Sequence, residues 1–394
     1  MKILIINSVC GRQSTGKIVS DIQGYLLENG HECVIAYGEK NSKKTEGNYK
    51  IGHEYDRYIH GIMSRITDKH GLYSSHPTKN LIDFIEQYNP DIVHLHNVHG
   101  YYVNVKMLAE YLIKTKRKVI WTLHDCWTFT GHCAYFGHAH CSKWKSQCEE
   151  CPQKKEYPRS LLMDNSKYNF NLKKELFTKL DVTFVTPSQW LADLLKESFL
   201  KEKEVVVIPN GIDKNIFKPS GSDILTKYKI PYQRYILGVA SIWDERKGLK
   251  DFIRLSGLLP QDEGIVLVGL SKEQIQSLPA NIIGIQHTDN QKDLAALYSS
   301  AQYFFIPSYE DNFPTVILES LSCGTPVISY RTGGCCEAIT PDCGFIVDQG
   351  DVEAVSSIIK NEMVPKTNAC VAASKEYSIE VFTAKYLDLY NKEL

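Results

Sequence analysis

Two carboxylates, Asp311 and Glu319, stand eight residues apart where an apolar run ends and a helical pattern begins. Eight residues make about two helical turns, so both side chains are expected near one face of the turn and helix. A carboxylate there can accept both hydroxyls of a ribose, and N–H groups at the helix start can hold a diphosphate or a sugar. Glu319 could instead be an exposed helix charge. The Gly-Thr-Pro turn after Cys323 leads directly into a buried strand, so we expect Glu319 to be held close to the sheet. Gly333 follows that strand and is expected to leave its backbone open to a ligand.

Arg246 and Lys247 precede Gly248 just after the first strand of the second half of the chain. Two cations at the mouth of a strand–helix turn suit a diphosphate, because they can neutralise charge that grows on a departing phosphate. A solvated surface pair is the alternative, and the spacing alone does not decide between the two.

Histidines end two of the apolar runs of the first half, at His94 and His96 before Asn97, and at His124 before Asp125. Each histidine could simply bond a neighbouring backbone group. An aspartate can orient an imidazole, so the His124–Asp125 pair favours a functional role for His124.

The segment from Gly11 to Lys17 has the spacing of a nucleotide-triphosphate phosphate loop. Ile18 follows, where such a loop needs Ser or Thr to hold magnesium, so we do not expect a triphosphatase loop. The turn that contains Gly16 still exposes backbone N–H groups at a helix start, which favours an anion or a hydroxyl-rich ligand.

A segment rich in Cys, His, Trp and Pro, from Asp125 to about Ser160, interrupts the regular pattern. Its C-x2-C pair is half of a zinc site, and the other half has a looser spacing that a histidine from 132, 138 or 140 could complete. We predict one structural zinc ion. Reduced thiols packed against Trp127 and Trp144 remain an alternative, and disulfides are disfavoured in a cytosolic protein. The predicted ligands are Cys133, Cys141, Cys148 and Cys151.

Twelve short apolar runs alternate with helical patterns in two series, and their continuous Val, Ile, Leu and Phe content is typical of parallel strands covered on both faces. The pattern predicts an α/β fold of two doubly wound, Rossmann-like domains that face a central cleft, with ligands outside the carboxyl ends of the strands. A polar stretch at 209–230 separates the series. The predicted domains are 1–217 with the cysteine-rich insert 126–160, then 218–376, and a helix over 377–394 that packs back on the first domain.

The bulk composition is that of a soluble globular protein of 394 residues, with 43% hydrophobic residues and a net charge of −1. Such a small charge gives no strong field to hold nucleic acid or an anionic membrane by charge alone, and it leaves a local basic patch open. The apolar run at the N-terminus is too short for a signal peptide, and no run of about 18 apolar residues is present. The sequence therefore predicts a cytoplasmic protein whose 12 cysteines are mostly reduced thiols.

Several motifs follow one another along the chain: Pro209-Asn210-Gly211-Ile212-Asp213 with Phe217-x-Pro219, Arg246-Lys247-Gly248, Asp311-x7-Glu319 and Thr332-Gly333-Gly334. In this order they resemble family 4 of the retaining glycosyltransferases, which have the two-domain GT-B fold. The resemblance extends over nearly the whole chain, and the segment Thr122–Gln153 is similar to a bacterial subgroup of capsule and exopolysaccharide (colanic-acid-type) synthesis.

The resemblance implies a role for each matching residue. Glu319 corresponds to the acid that holds the ribose, Asp311 to an acid near the donor sugar that is usually Glu, and Lys247 to the lysine on the donor phosphates. Ile242 stands where the family often has Arg, and Arg246 is the expected substitute. His124 corresponds to a histidine that reaches the donor sugar. Pro314 replaces a usual Gly and removes one N–H. The remaining expected donor-binding residues are Gly16, Asn210, Phe313, Thr315, Val316 and Gly333.

By the same resemblance, the expected activity is transfer of a sugar, with retention, from a nucleotide-diphosphate donor to a hydroxyl of a growing glycan or a lipid-linked acceptor. The enzymes of the family need no metal or other cofactor for catalysis. The expected place of action is the cytoplasm, with peripheral contact to the inner membrane left open. Alternatives are a nucleotide-sugar epimerase or phosphorylase on the same fold, and an inactive nucleotide-sugar-binding subunit.

Overall fold

The computed structural model describes residues 1–39, 46–221, 223–361, 363, 365 and 367–394. The chain divides into two compact units, Met1–Pro209 with Phe382–Leu394, and Asn210–Val381. Each unit is built on one parallel β-sheet with helices on both faces, the arrangement that the sequence pattern predicts. Within the described residues, no helix combines the length and the apolar character needed to cross a membrane.

The first unit holds a seven-stranded sheet in the order β3-β2-β1-β4-β5-β6-β7. Its strands are β1 Lys2–Asn7, β2 Glu32–Tyr37, β3 Tyr49–Lys50, β4 Ile92–Leu95, β5 Lys118–Thr122, β6 Val182–Thr186 and β7 Val205–Val207. Its helices are α1 Gln13–Glu28, α2 Glu54–Thr67, α3 Ser75–Tyr88, α4 Val105–Thr115, α5 Ser166–Phe177 and α6 Gln189–Glu197.

The second unit holds a six-stranded sheet in the order β10-β9-β8-β11-β12-β13. Its strands are β8 Arg234–Val239, β9 Glu263–Val268, β10 Ile282–Ile285, β11 Tyr303–Ile306, β12 Val327–Tyr330 and β13 Gly344–Val347. Its helices are α7 Ile224–Lys227, α8 Leu249–Ser256, α9 Lys272–Gln276, α10 Gln291–Ser300, α11 Thr315–Ser322, α12 Val352–Lys360 and α13 Thr367–Ala373.

The boundary between the units lies at Asn210 rather than at the predicted residue 218. Ile212 and Phe217 are buried in the core of the second unit, and Ile212 forms a parallel bridge with Ser378. The segment 210–217 therefore packs into the hydrophobic core of the second unit. The sequence did not predict this, because the residues around Ile212 and Phe217 are mostly polar.

The last helix, α14 Ile379–Glu393, returns to the first unit. Its side chains Phe382, Tyr386 and Tyr390 are buried beside Ile3 and Ile5 of β1. The part that belongs to the first unit begins at Phe382, five residues after the predicted start at 377, because the residues before it pair with Ile212.

Candidate active site

The strand order of the second unit reverses between β8 and β11, and the turns that follow these two strands carry the predicted phosphate-binding residues. In open parallel sheets a ligand binds at such a point, outside the carboxyl ends of the strands. Arg246 and Lys247 follow β8, and Asp311 follows β11. Lys247 and Asp311, 64 positions apart in the sequence, are thus neighbours because their strands are neighbours.

Lys247 and Asp311 form an ion pair and a hydrogen bond between the lysine Nζ and the carboxylate Oδ2. Ser308 Oγ lies 3.3 Å from the same oxygen, and the Asn312 N–H donates to the other at 3.1 Å. Burial by itself would raise the pKa of the Asp311 carboxyl, but the charges of Lys247 and Arg246 hold it below its ordinary value. Asp311 is therefore a carboxylate at neutral pH.

Arg246 forms two hydrogen bonds with the backbone of the loop that follows β11. Its guanidinium donates to the Glu310 carbonyl at 2.7 Å, and its own carbonyl accepts from the Tyr309 N–H at 2.8 Å. Ile242, at the position where the family often has Arg, is 70% exposed. The structure thus connects Arg246 to the site, through the backbone of the Asp311 loop.

Gly248 lets the cation turn approach the sheet. Its φ is +73°, and a Cβ atom built on it would lie 2.3 Å from the carbonyl oxygen of Pro307 at the end of β11. Only glycine avoids both the left-handed strain and the clash. The close approach sets the position of Lys247 relative to Asp311.

Glu319 lies on α11, the helix that begins after the loop of Asp311, and is partly buried. Its carboxylate accepts a hydrogen bond from the hydroxyl of Tyr298 at 3.3 Å. Asp311 lies in the loop, four residues before α11 begins at Thr315, and Glu319 lies in the second turn of the helix. Tyr298 is a contact that the sequence motifs do not reveal, because α10 carries it.

The remaining predicted donor-binding residues of the second unit surround the start of α11. The Asn210 amide donates to the Phe313 carbonyl at 2.8 Å. Thr315 and Val316 form the first turn of α11, after Pro314 in an extended conformation. Gly333 has a φ of +48° and opens the turn that contains Cys335. Burial raises the pKa of the Cys335 thiol, and the charge of Asp311 raises it further, which places this turn near the carboxylate.

In the first unit the strand order reverses between β1 and β4, and Gly16, His96 and His124 follow β1, β4 and β5. The Gly11 N–H donates to the Gly16 carbonyl at 2.9 Å and closes the turn at the start of α1. A Cβ atom on Gly16 would lie 2.9 Å from a methyl group of Val9, which explains the small residue there.

His124 is in contact with a second histidine, His96. His96 Nδ1 and His124 Nε2 are 3.0 Å apart, and their rings stack with centroids at 5.3 Å. Asp125 pairs with His99, whose Nε2 lies 3.1 Å from the carboxylate. Burial lowers the pKa of His124 to about 4. His124 is therefore a neutral imidazole at physiological pH.

The four predicted zinc ligands line one cavity, together with His132. The Gly131 N–H donates to the Cys148 sulfur at 3.3 Å, and the Cys133 and Cys151 thiols share a hydrogen bond. Among the described residues, no three His, Cys, Asp or Glu side chains stand in a metal-ligand arrangement. Trp144 lines the same cavity, whereas Trp127 packs beneath Lys173.

His132 has a buried ring with two different nitrogens. Nδ1 hydrogen-bonds to the Asp68 carboxylate, and Nε2 is buried with no hydrogen-bond partner. A carboxylate that bonds one nitrogen of a histidine while the other faces a metal is a common outer-shell pattern in zinc sites. The structure thus favours His132 over His138 and His140 as the histidine that could complete a site.

Comparison with known proteins matches both halves of the chain to glycosyltransferases. The profile described as "Glycosyltransferase Family 4" matches residues 16–215, which is half of the chain, and that described as "Glycosyl transferases group 1" matches residues 233–361. The chain belongs to glycosyltransferase family 4. It is a glycosyltransferase of the GT-B fold, as the resemblance of its motifs predicts.

Relatives and a solved structure agree with that assignment. The chain is 26% identical over 290 residues to the putative colanic acid biosynthesis glycosyl transferase WcaC of Escherichia coli (strain K12), covering 70% of this chain and 68% of that protein. It is 30% identical over 156 residues to the processive diacylglycerol alpha-glucosyltransferase of Acholeplasma laidlawii, covering 36% and 46%. Its fold matches Anabaena Alr3699/HepE, solved in complex with UDP-glucose, with a TM-score of 0.68, 16% identity and full coverage of both chains.

Proposed function

We propose that this enzyme transfers a sugar, with retention of configuration, from a nucleotide-diphosphate donor to a hydroxyl of a growing glycan or a lipid-linked acceptor. The proposed setting is capsular polysaccharide, exopolysaccharide or O-antigen synthesis. The observation that carries the proposal is the Lys247–Asp311 pair at the strand-order reversal of the second sheet. Relatives named for colanic acid synthesis and for glucosyl transfer to diacylglycerol support the acceptor class.

In this proposal the second unit binds the donor. Glu319 accepts the ribose hydroxyls, Lys247 contacts the diphosphate, and Asp311 positions Lys247 while facing the donor sugar. The N–H groups of Thr315 and Val316 at the start of α11 point their dipoles toward the anion. The backbone around the donor is held in place by three further residues, Asn210, Phe313 and Gly333. The hydrogen bond from the Asn210 amide to the Phe313 carbonyl supports this role for the first two.

Lys247 acts mainly when the bond between sugar and phosphate breaks. Negative charge then grows on the leaving diphosphate, and an ammonium fixed beside it stabilises the transition state more than the bound donor. The leaving phosphate oxygen takes the acceptor proton on the same face of the sugar, so the proposal assigns no enzyme base. His124 is neutral and offers a hydrogen bond to the donor sugar, and Gly16, in the first turn of α1, lies near the donor phosphates and the acceptor.

The proposal requires no metal ion for this chemistry. A structural zinc ion in the cysteine-rich insert remains a separate proposal, with Cys133, Cys141, Cys148 and Cys151 as its ligands and His132 as a replacement for one of them. The unpartnered Nε2 of His132 in the same cavity supports it. The place of action that we propose is the cytoplasm, at the cytoplasmic face of the membrane.

A thermal-shift screen with UDP, GDP, ADP and their sugars tests the donor class, because a ligand that binds the folded state raises its stability by mass action. We expect one nucleotide series to stabilise the protein and the others to leave it unchanged. Release of free nucleoside diphosphate only when an acceptor is added would distinguish transfer from epimerisation. Tight donor binding with no turnover on any acceptor would instead indicate an inactive binding subunit.

A further inference from the structure

Helix α2 has its polar side turned inward and its apolar side turned outward. His60 and Ser64 are buried against the first unit, and His60 Nδ1 hydrogen-bonds to Ser74 Oγ at 2.8 Å. A surface helix ordinarily has the reverse arrangement, with its apolar stripe toward the core. Five large apolar or aromatic side chains are left exposed, at between 36% and 72% of their surface: Tyr55, Tyr58, Ile59, Ile62 and Ile66.

A second apolar segment lies beside the end of this helix. The Leu161 N–H donates to the Arg65 carbonyl at 2.7 Å, and the Met163 N–H donates to the Ile66 carbonyl at 3.1 Å. Leu161, Leu162 and Met163 are each more than half exposed. Together with the five outward residues of α2 they form a continuous surface, called the apolar patch below.

The exposed apolar surface of the first unit is concentrated at this place. Of its twelve exposed large hydrophobic residues in the described ranges, eight form the apolar patch and two, Tyr157 and Tyr168, flank its loop. Only Leu27 and Leu394 lie elsewhere. Single exposed apolar residues are normal on a protein surface, whereas a contiguous apolar patch marks a site that a membrane or another molecule covers.

Exposed cations border the patch at the end of α2 and before Leu161, while Glu54 and Asp56 stand beside Tyr55 and the exposed Asp164 follows Met163. Arg65 lies on α2 between Ile62 and Ile66, and Lys155 and Arg159 lie on the chain that leads into Leu161; all three are exposed. Glu156 is the single acid in the segment 154–160. A two-fold dimer through this patch would bring these cations of two copies together, which is unfavourable.

A short chain of contacts connects the patch to the acceptor side of the site. The Tyr157 hydroxyl lies 3.1 Å from His99 Nδ1, and His99 Nε2 lies 3.1 Å from the Asp125 carboxylate. Asp125 directly follows His124. A molecule held at the patch therefore lies on the same part of the first unit as the histidine that we assign to the sugar.

We propose that the apolar patch docks the enzyme on a bilayer that contains anionic lipid. Tyr55 and Tyr58 would lie at the level of the headgroups, and the Ile, Leu and Met side chains would enter the boundary with the acyl chains. Arg65, Lys155 and Arg159 would contact the anionic headgroups. The inference rests on the proposed function, because docking here brings a lipid-linked acceptor to His124.

Flotation of the full chain with vesicles tests the surface. The wild-type protein is expected to float with vesicles of phosphatidylcholine that contain about 30% phosphatidylglycerol, and to float less with phosphatidylcholine alone. Ile59→Ser with Ile62→Ser removes apolar area from the centre of the patch and should weaken binding by about tenfold or more. Arg65→Glu with Arg159→Glu should abolish the preference for the anionic vesicles. Leu27→Ser, similarly exposed on α1, is the matched control and should float as the wild type does.

The melting temperature of each variant shows whether the chain is folded, and all these side chains are exposed, so it should not change. Equal flotation of the wild type and Ile59→Ser/Ile62→Ser would overturn the proposal. So would a wild-type dimer in sedimentation that the same substitutions dissociate, because a second copy would then cover the patch. If the wild-type protein floats but transfers no sugar, the proposed function is wrong and the docking surface is retained. If it transfers sugar without floating, the docking proposal is wrong and the proposed function is retained.

Discussion

Replacing Lys247 with alanine tests the contact on which the candidate donor site depends. In the folded protein the Lys247 ammonium bonds the Asp311 carboxylate, and both side chains are largely covered, at 20% and 11% exposure. The substitution leaves the carboxylate with only Ser308 and the Asn312 N–H as donors. Asp311 then remains covered from water, with Arg246 as the remaining cation that compensates its charge.

The loss of one charge-assisted hydrogen bond at such a place should cost about 1.5–3 kcal/mol in the free energy of unfolding of the second unit. The cost should depend on pH. The pKa of Asp311 is below its ordinary value in the folded state, so the stabilisation is present above the unfolded value of about 3.9 and is lost as pH falls through the folded value. The difference between wild type and variant should therefore be widest near neutral pH and should close in acid.

Denaturant unfolding at neutral pH and at successively lower pH below about 4 measures this difference, with donor affinity and turnover as a second assay. Lys250→Ala is the matched control, because Lys250 pairs with Glu245 while both side chains are more than three-quarters exposed, and no change is expected there. Lys247→Ala should also lower turnover more than donor affinity. Unchanged unfolding at neutral pH, or a raised Michaelis constant with intact turnover, would refute the reasoning.

Three further predictions concern the neighbouring residues and the insert. Glu319→Gln should weaken donor binding, measured by calorimetry, by about 1.5–3 kcal/mol and leave the melting temperature unchanged, since the amide can still accept from Tyr298; an unchanged affinity would argue against the ribose role. Gly248→Ala should lower the melting temperature, because its Cβ would meet the Pro307 carbonyl, and a variant as stable as wild type would contradict the close approach. Metal analysis of protein purified without an affinity tag should find about one zinc per chain, reduced by Cys148→Ser; less than about half an equivalent in the wild type would favour reduced thiols.

The regular elements could be predicted because their signal is local. All twelve predicted apolar runs are strands, since a parallel strand buried on both faces is a continuous run of apolar residues. β3 escaped prediction because two residues, Tyr49 and Lys50, are too few to form a pattern. The domain boundary was displaced because the burial of Ile212 and Phe217 depends on the core of the second unit and not on their polar neighbours.

The candidate site also has a part that the sequence predicts and a part that only the fold decides. The positions of Arg246, Lys247, Asp311 and Glu319 after strands suit a phosphate and sugar site, and the resemblance of their motifs to a known family favours that site over a solvated surface pair. The contacts between them require the order of the strands, which places β8 beside β11. That order likewise brings His96 beside His124, a contact that the sequence motifs do not reveal.

Helix α2 is the clearest example of a feature that the sequence pattern could not predict. Its sequence has both an apolar and a polar side, and by that pattern alone the apolar side should face the core. Ser74, Tyr73 and Tyr101 surround His60 with a hydroxyl and aromatic edges, so the inward position of the helix is a polar one. The sequence by itself determined that the helix has two unlike faces. Only the tertiary structure decided which face is turned outward, because that depends on groups contributed by other segments of the chain.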